Sequence, residues 1–219
     1  MMPTDLPAMF IADARGIDFL NSVATPVDVP VDWISDGQGL VNWLRQAELV
    51  PEAQLVEIAK RAMPGELDRV ADQARDLREW FRGFVRARMG APLDAGALEE
   101  LAPLSRLLER DEAYQRLALH DGHLVLERER RWRSPESLLI PIGEALARIV
   151  VDGDLTQVKA CEGQTCTLMF ADHTRGHARR WCSMSVCGNR AKVAAHRSRQ
   201  RAQIQRTASS SASRHLHAN

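Results

Sequence analysis

All four cysteines of the chain fall between Cys161 and Cys187, as two pairs: Cys161 with Cys166, and Cys182 with Cys187. Four residues separate the members of each pair, and fifteen separate the pairs. Two short-spaced pairs across a small gap bring four thiolates within reach of one tetrahedral ion, and zinc is the usual occupant. Ordinary buried thiols or two disulfides are the alternatives. The gathering of every cysteine into one short segment argues against both. Four thiolates leave no open position for a catalytic water, so one structural zinc would contribute folding energy and not catalysis. The segment needs that energy. Between Cys161 and Cys187 its large apolar residues are Leu168, Met169, Phe170, Trp181, Met184 and Val186. His173 and His177 have the mutual spacing of histidine ligands in two-cysteine, two-histidine fingers. Only six residues lie between Cys166 and His173, however, against about twelve in that finger type. Choosing the histidines would also strand Cys182 and Cys187. The expectation is an all-cysteine site with the histidines in a connecting loop.

The formal net charge is zero and conceals a split. Residues 155–219 hold 11 Lys/Arg against Glu162 and Asp172, a balance of +9, and residues 1–154 hold 18 against 27, a balance of −9. Such asymmetry points to a nucleic-acid-binding end on an acidic body. A composition of 45% hydrophobic and 26% charged residues is ordinary for a soluble globular chain. No basic leader followed by an apolar run opens the sequence. The most apolar stretch, Leu138–Val151, carries Glu144 and Arg148 and is shorter than the about 20 residues a membrane span takes. The expectation is a cytoplasmic protein without a membrane partner, in a compartment where paired cysteines bind metal more often than they form disulfides.

Along the first part, apolar residues recur at offsets of three and four, the signature of helices with one buried face. Helices are expected over Gly39–Ala47; from Pro51 through Ala62 with Leu55, Ile58, Ala59 and Ala62 on one face; and over Pro64–Met89 with Leu67, Val70, Ala71, Ala74, Leu77, Trp80, Phe81, Phe84 and Val85 as the stripe. Another is expected from Asp94 with Leu98, Leu101, Leu104, Leu107 and Leu108. Leu117–Leu126 alternates around Asp121-Gly122, the residue pair of a tight type I′ hairpin turn. A last helix is expected from about Pro135, capped by Ser134, to Val151, with Asp152-Gly153-Asp154 ending it. The expected architecture is mainly α with a small β-hairpin (α+β). It comprises a helical domain over 1–153, a zinc-stapled finger with a basic helix over 154–206, and a disordered serine-rich tail over 207–219. Within the finger, Val158-Lys159 and Leu168-Met169-Phe170 are expected to pair, and Cys187 to lie near the start of the basic helix.

The run Trp181-Cys182-Ser183-Met184-Ser185-Val186-Cys187-Gly188-Asn189-Arg190-Ala191-Lys192 resembles the CGNR zinc finger family. Cys161-x4-Cys166 and Leu168–Asp172 match the same pattern. The N-terminal part resembles ABATE, the domain usually found before this finger and associated with stress-induced transcription regulation. It does so through Ile17-Asp18-Phe19-Leu20-Asn21-Ser22, close to that family's LDF-x-NT, and through Leu77-Arg78-Glu79; Ile17 and Ser22 depart from the motif. The two resemblances together span nearly the whole chain. They imply a bacterial, DNA-binding transcriptional regulator with an N-terminal sensing domain, not an enzyme.

The residues themselves nominate Cys161, Cys166, Cys182 and Cys187 as metal ligands. Arg179, Arg180, Arg190, Lys192, Arg197, Arg199 and Arg201 are the candidate contacts to double-stranded DNA, with Arg190, Arg197 and Arg201 sharing a helical face. A solvated basic helix is the plainer alternative. Asn189 and Gly188 are read as structural, Gly188 permitting tight backbone near the metal, and Trp181 as core. Asp18 and Asn21, polar in an apolar neighbourhood, are the candidate lining of a pocket for a small-molecule effector; the alternative is that they satisfy nearby backbone groups. A homodimer is one route by which the acidic domain could tune the finger. The competing function is a zinc-stabilised module that binds a protein partner or RNA. No nucleotide-binding glycine loop and no hydrolase nucleophile motif occurs.

Overall fold

Six residues, Arg15–Leu20, form the short helix α1 around which the molecule is organised. The computed structural model describes residues 7–25 and 29–215, with side chains as far as Ile204 in the last helix. A two-residue strand, β1 (Val23–Ala24), follows α1 and pairs antiparallel with β2 (Val31–Asp32). Next comes α2 (Gly37–Gln46), where the Asp36 carboxylate accepts from Gly39 N–H at 2.7 Å and satisfies one of the free donors of the first turn. After α3 (Glu52–Arg61) the chain enters α4 (Glu66–Arg88), whose Val70, Ala71, Ala74, Phe81, Phe84 and Val85 are buried at helical spacing, as the periodicity predicts. Leu98 is exposed, and the single helix expected from Asp94 is two short ones, α5 (Ala97–Glu100) and α6 (Ala102–Leu108). Pro103 lacks the N–H to continue a helix and clashes with the preceding turn, which accounts for the break. Ala59, expected on the buried face of α3, is exposed.

The hairpin forms with Asp121 (φ 48°) and Gly122 (φ 82°) in its turn and is longer than the alternation suggested. It pairs β3 (Ala113–His120) with β4 (His123–Arg130), placing Leu117 opposite Leu126 and Leu119 opposite Leu124. Ser134 sits at the expected N-cap without a side-chain cap; a 3₁₀ turn over Pro135–Leu138 leads into α7 (Leu139–Val151). Helix α7 crosses α1 so closely that a Cβ on Gly16 would collide with the Ala145 carbonyl. The finger's two strands pair as expected, β5 (Val158–Ala160) with β6 (Met169–Ala171). One turn of π-helix over Met184–Gly188 opens into α8 (Asn189–His215). The backbone stays helical past Arg206, where the tail was expected to begin, and no glycine or proline stands between Asn189 and His215 to end it. The remainder of the expected tail, 216–219, lies outside the described residues. The fold is mainly α with small antiparallel strand pairs. Among the described residues no helix is long and apolar enough to cross a membrane.

One hydrophobic core runs through both parts of the chain. Phe19, Leu20, Trp43, Phe81 and Leu146 belong to it, and so do Leu168, Met169, Phe170, Cys182 and Cys187 of the finger. The finger thus borrows apolar contacts that its own sequence lacks.

Candidate metal centre and nucleic-acid interface

Cys161 follows β5, Cys166 ends the turn after it, Cys182 precedes the π-turn and Cys187 lies within that turn. This arrangement brings one ligand atom from each within 4.8 Å of all the others. Three of the four residues are buried and Cys166 is half-buried. Backbone and arginine donors surround the sulfurs: Cys182 N–H (3.3 Å) and Gly163 N–H (3.5 Å) point to Cys161 Sγ, and Arg190 to Cys187 Sγ at 3.5 Å. Donors placed around sulfur stabilise thiolate ligands and orient them. A Cβ on Gly163 would lie 2.9 Å from Cys166 Cβ and 3.3 Å from Cys187 Sγ. The residue that lets backbone approach the sulfurs is therefore Gly163. Gly188, which the sequence suggested for that role, is hemmed in by Met184 and Trp181.

The thiols also show what the cluster lacks by itself. Donation from Cys182 draws Cys166 down to about 5, while the same hydrogen bond and burial push Cys182 far up. Burial raises Cys187 as well. Four crowded sulfurs cannot all ionise against one another, and a dication removes that repulsion. Among the described residues the histidines stand outside the cluster. His177 instead places Nδ1 2.9 Å from the Asp172 carbonyl.

Asp172 organises the loop between the cysteine pairs. It is fully buried, and burial alone would raise its pKa. The Lys159 ammonium at 2.7 Å, the Thr174 hydroxyl at 2.6 Å and the N–H groups of Thr174 and Arg179 outweigh burial and hold the carboxyl well below the usual range. The finger's other acid, Glu162, accepts from Arg180 at 2.8 Å. No Asp or Glu follows Asp172 in the sequence.

The seven cationic candidates divide by direction. Arg179 is turned into the protein. It pairs with Asp13, donates to the carbonyls of Ile11 (2.8 Å), Trp181 (3.0 Å) and Cys182, and lies 4.2 Å over the Phe170 ring. Arg180 is paired with Glu162 at the surface. Arg190, Lys192, Arg197, Arg199 and Arg201 are exposed along α8. Asn189 donates back to the Ser185 carbonyl at 3.3 Å.

Asp18 and Asn21 are both buried and both engaged with backbone. Asp18 Oδ1 accepts from Ala12 N–H at 3.0 Å, and burial, only partly offset by that bond and by Arg15, raises its pKa to about 6. Asn21 clasps the finger. Its Nδ2 donates to Met169 O at 2.8 Å, and its Oδ1 accepts from Met169 N–H at 2.9 Å. Neither lines the cavity of about 500 Å³ that opens nearby between α1, α7 and the finger, bounded by Ile17, Leu49, Ala145, Ile149, Val158 and Ala171. A second cluster escaped the sequence reading. Arg78 of α4, almost fully buried, grips both oxygens of Asp32 at 2.8 and 2.7 Å and donates to Ser22 Oγ at 2.9 Å. The two N-terminal motif fragments, Asn21-Ser22 and Arg78-Glu79, thus meet in space. That convergence was the available signal.

Two family models match the chain. Residues 13–153 match ABATE, described as "Putative stress-induced transcription regulator", and residues 157–200 match the CGNR zinc finger. Neither is an enzyme family. No curated protein matches. The finger match and the four gathered sulfurs identify the cofactor as one structural zinc. The converging N-terminal motifs and the cysteine cluster are accounted for together: the chain belongs to the ABATE family and carries a CGNR zinc finger at its C-terminal end.

Proposed function

We propose that this protein is a DNA-binding transcriptional regulator in which the zinc knuckle launches α8 as the DNA-contacting element. The observation that carries this reading is the acid-free helix rising from the metal centre. Arg190, Lys192, Arg197, Arg199 and Arg201 are exposed on it, and the finger's two carboxylates are already paired with Lys159 and Arg180. Exposed cations on a helix that itself carries no acid suit phosphate contacts, and one or two side chains reaching base edges would supply sequence preference. Arg180, at the surface between Glu162 and the Trp181 ring, joins them, since an exposed ion pair is weak and exchangeable. Arg179 contributes by holding the finger in place. A small molecule seated in the cavity between α1, α7 and the finger touches body and finger together, and so is positioned to bias how α8 is presented.

The test is duplex-DNA affinity by fluorescence anisotropy across a salt series. Each neutralised phosphate contributes about −0.9 to the log–log slope, so a slope steeper than about −3 is expected. Replacing Arg197 and Arg201 together should flatten it by about 2. A flat salt response would refute the reading. Preferential competition by RNA or by an acidic protein would move it to the alternative binding module.

A further inference from the structure

The hairpin β3–β4 has two unlike faces. Cross-strand partners share a face, so Leu117, Leu126, Leu119 and Leu124 stand together on one side. They are 68%, 60%, 68% and 74% exposed. The opposite face carries the polar side chains, which pair with one another around Ala118 and Val125. Arg116 pairs with Glu127 and Glu129, His120 with Glu127, and Tyr114 donates to Glu129 at 2.6 Å. At the base of the leucine face, Arg128 and Arg130 are tied to Asp111 and Glu144 of the body. The apolar patch itself holds no charged residue, and the arginines at its base are tied to the body. It covers roughly 500 Å², at the upper end of what single soluble chains expose.

We propose that this leucine face is the two-fold interface of a homodimer, the hairpins of two copies stacking face to face. Three observations favour a second copy as the occupant. The face consists of one residue type arranged as two cross-strand pairs, so a two-fold rotation lays leucine on leucine; an isologous interface requires that self-complementarity. Stacking two such faces removes about 1,000 Å², the lower bound for a specific interface. The patch itself consists of leucines alone and carries no charged side chain, which suits an apolar partner and not a charged one. An isolated two-stranded hairpin is also marginal in water, and stacking on a copy supplies the missing layer. The inference does not rest on DNA binding. It does give the proposed regulator two basic helices per assembly.

The experiment is sedimentation velocity on the full, zinc-loaded chain without DNA, from 1 to 100 µM. The expected species has twice the 24.5 kDa chain mass. The double variant L119E/L124E should weaken association at least about 100-fold, while zinc content and helical content stay unchanged. Independently of any variant, hydrogen exchange in 113–130 should quicken on dilution while exchange in α4 does not. A wild-type chain that stays monomeric at 100 µM overturns the proposal, and flotation of that monomer with phosphatidylcholine vesicles would assign the patch to lipid. A dimer that persists in L119E/L124E with unaltered affinity overturns it too. Either failure leaves the salt dependence of DNA binding untouched.

Discussion

At Asp18, one carboxyl makes the pH dependence of stability readable. The native state raises its pKa from 3.8 to about 6, so between those values the folded chain binds more protons than the unfolded one. Stability then falls as pH rises from about 4 to about 6 and is flat above, by up to about 3 kcal/mol. Asp18→Asn keeps the acceptor for Ala12 N–H and removes the titration. The stability of wild type relative to this variant, from urea unfolding at pH 4 to 7, should decline by that amount and then level off. Cys182→Ser removes one of the four ligands. Bound zinc measured by mass spectrometry should drop from one per chain to a small fraction, and full retention would refute the four-thiolate set. The metal ligands were legible in the sequence because spacing alone brings them together. Arg179 and Asn21 were not. An arginine beside a cysteine pair reads as a DNA contact, and only the position of Asp13 and the Ile11 carbonyl turns it inward.

Among the elements, α4 was predicted well as a helix and poorly as a site. Its apolar stripe follows from periodicity, but Arg78 and Arg82 sit on the same buried face. Arg82 donates to the carbonyls of Leu20 and Val23, and Arg78 grips Asp32, so α4 holds the segment that leaves α1. Arg78 is buried and also pairs with Glu79 at 2.9 Å, so neutralising Asp32 leaves its guanidinium one carboxylate instead of two. Asp32→Asn should therefore cost about 1–3 kcal/mol, seen as a lowered urea midpoint. The hairpin shows the opposite case. Asp121-Gly122 set its turn and register locally, so the sequence announced it, though not that its leucines would face solvent.

For the whole molecule the decisive fact is that finger and body share one core. Asn21 bonds Met169, Ala171 N–H donates to the Ala12 carbonyl at 2.9 Å, and Arg179 reaches Asp13. Chelating the zinc should therefore loosen more than the finger. Hydrogen exchange after chelation should quicken in 158–189 and also in α1, with α4 the last to lose protection. Quickening confined to 158–189 would show that the body stands without it. By itself the sequence determined the zinc knuckle, the hairpin turn, the helical periods and the basic end, because each depends on residues near one another along the chain. Which polar side chains turn inward was decided only by the tertiary structure. Asn21 meets Met169 across 148 residues and Arg78 meets Asp32 across 46, and no local period or spacing encodes such partners.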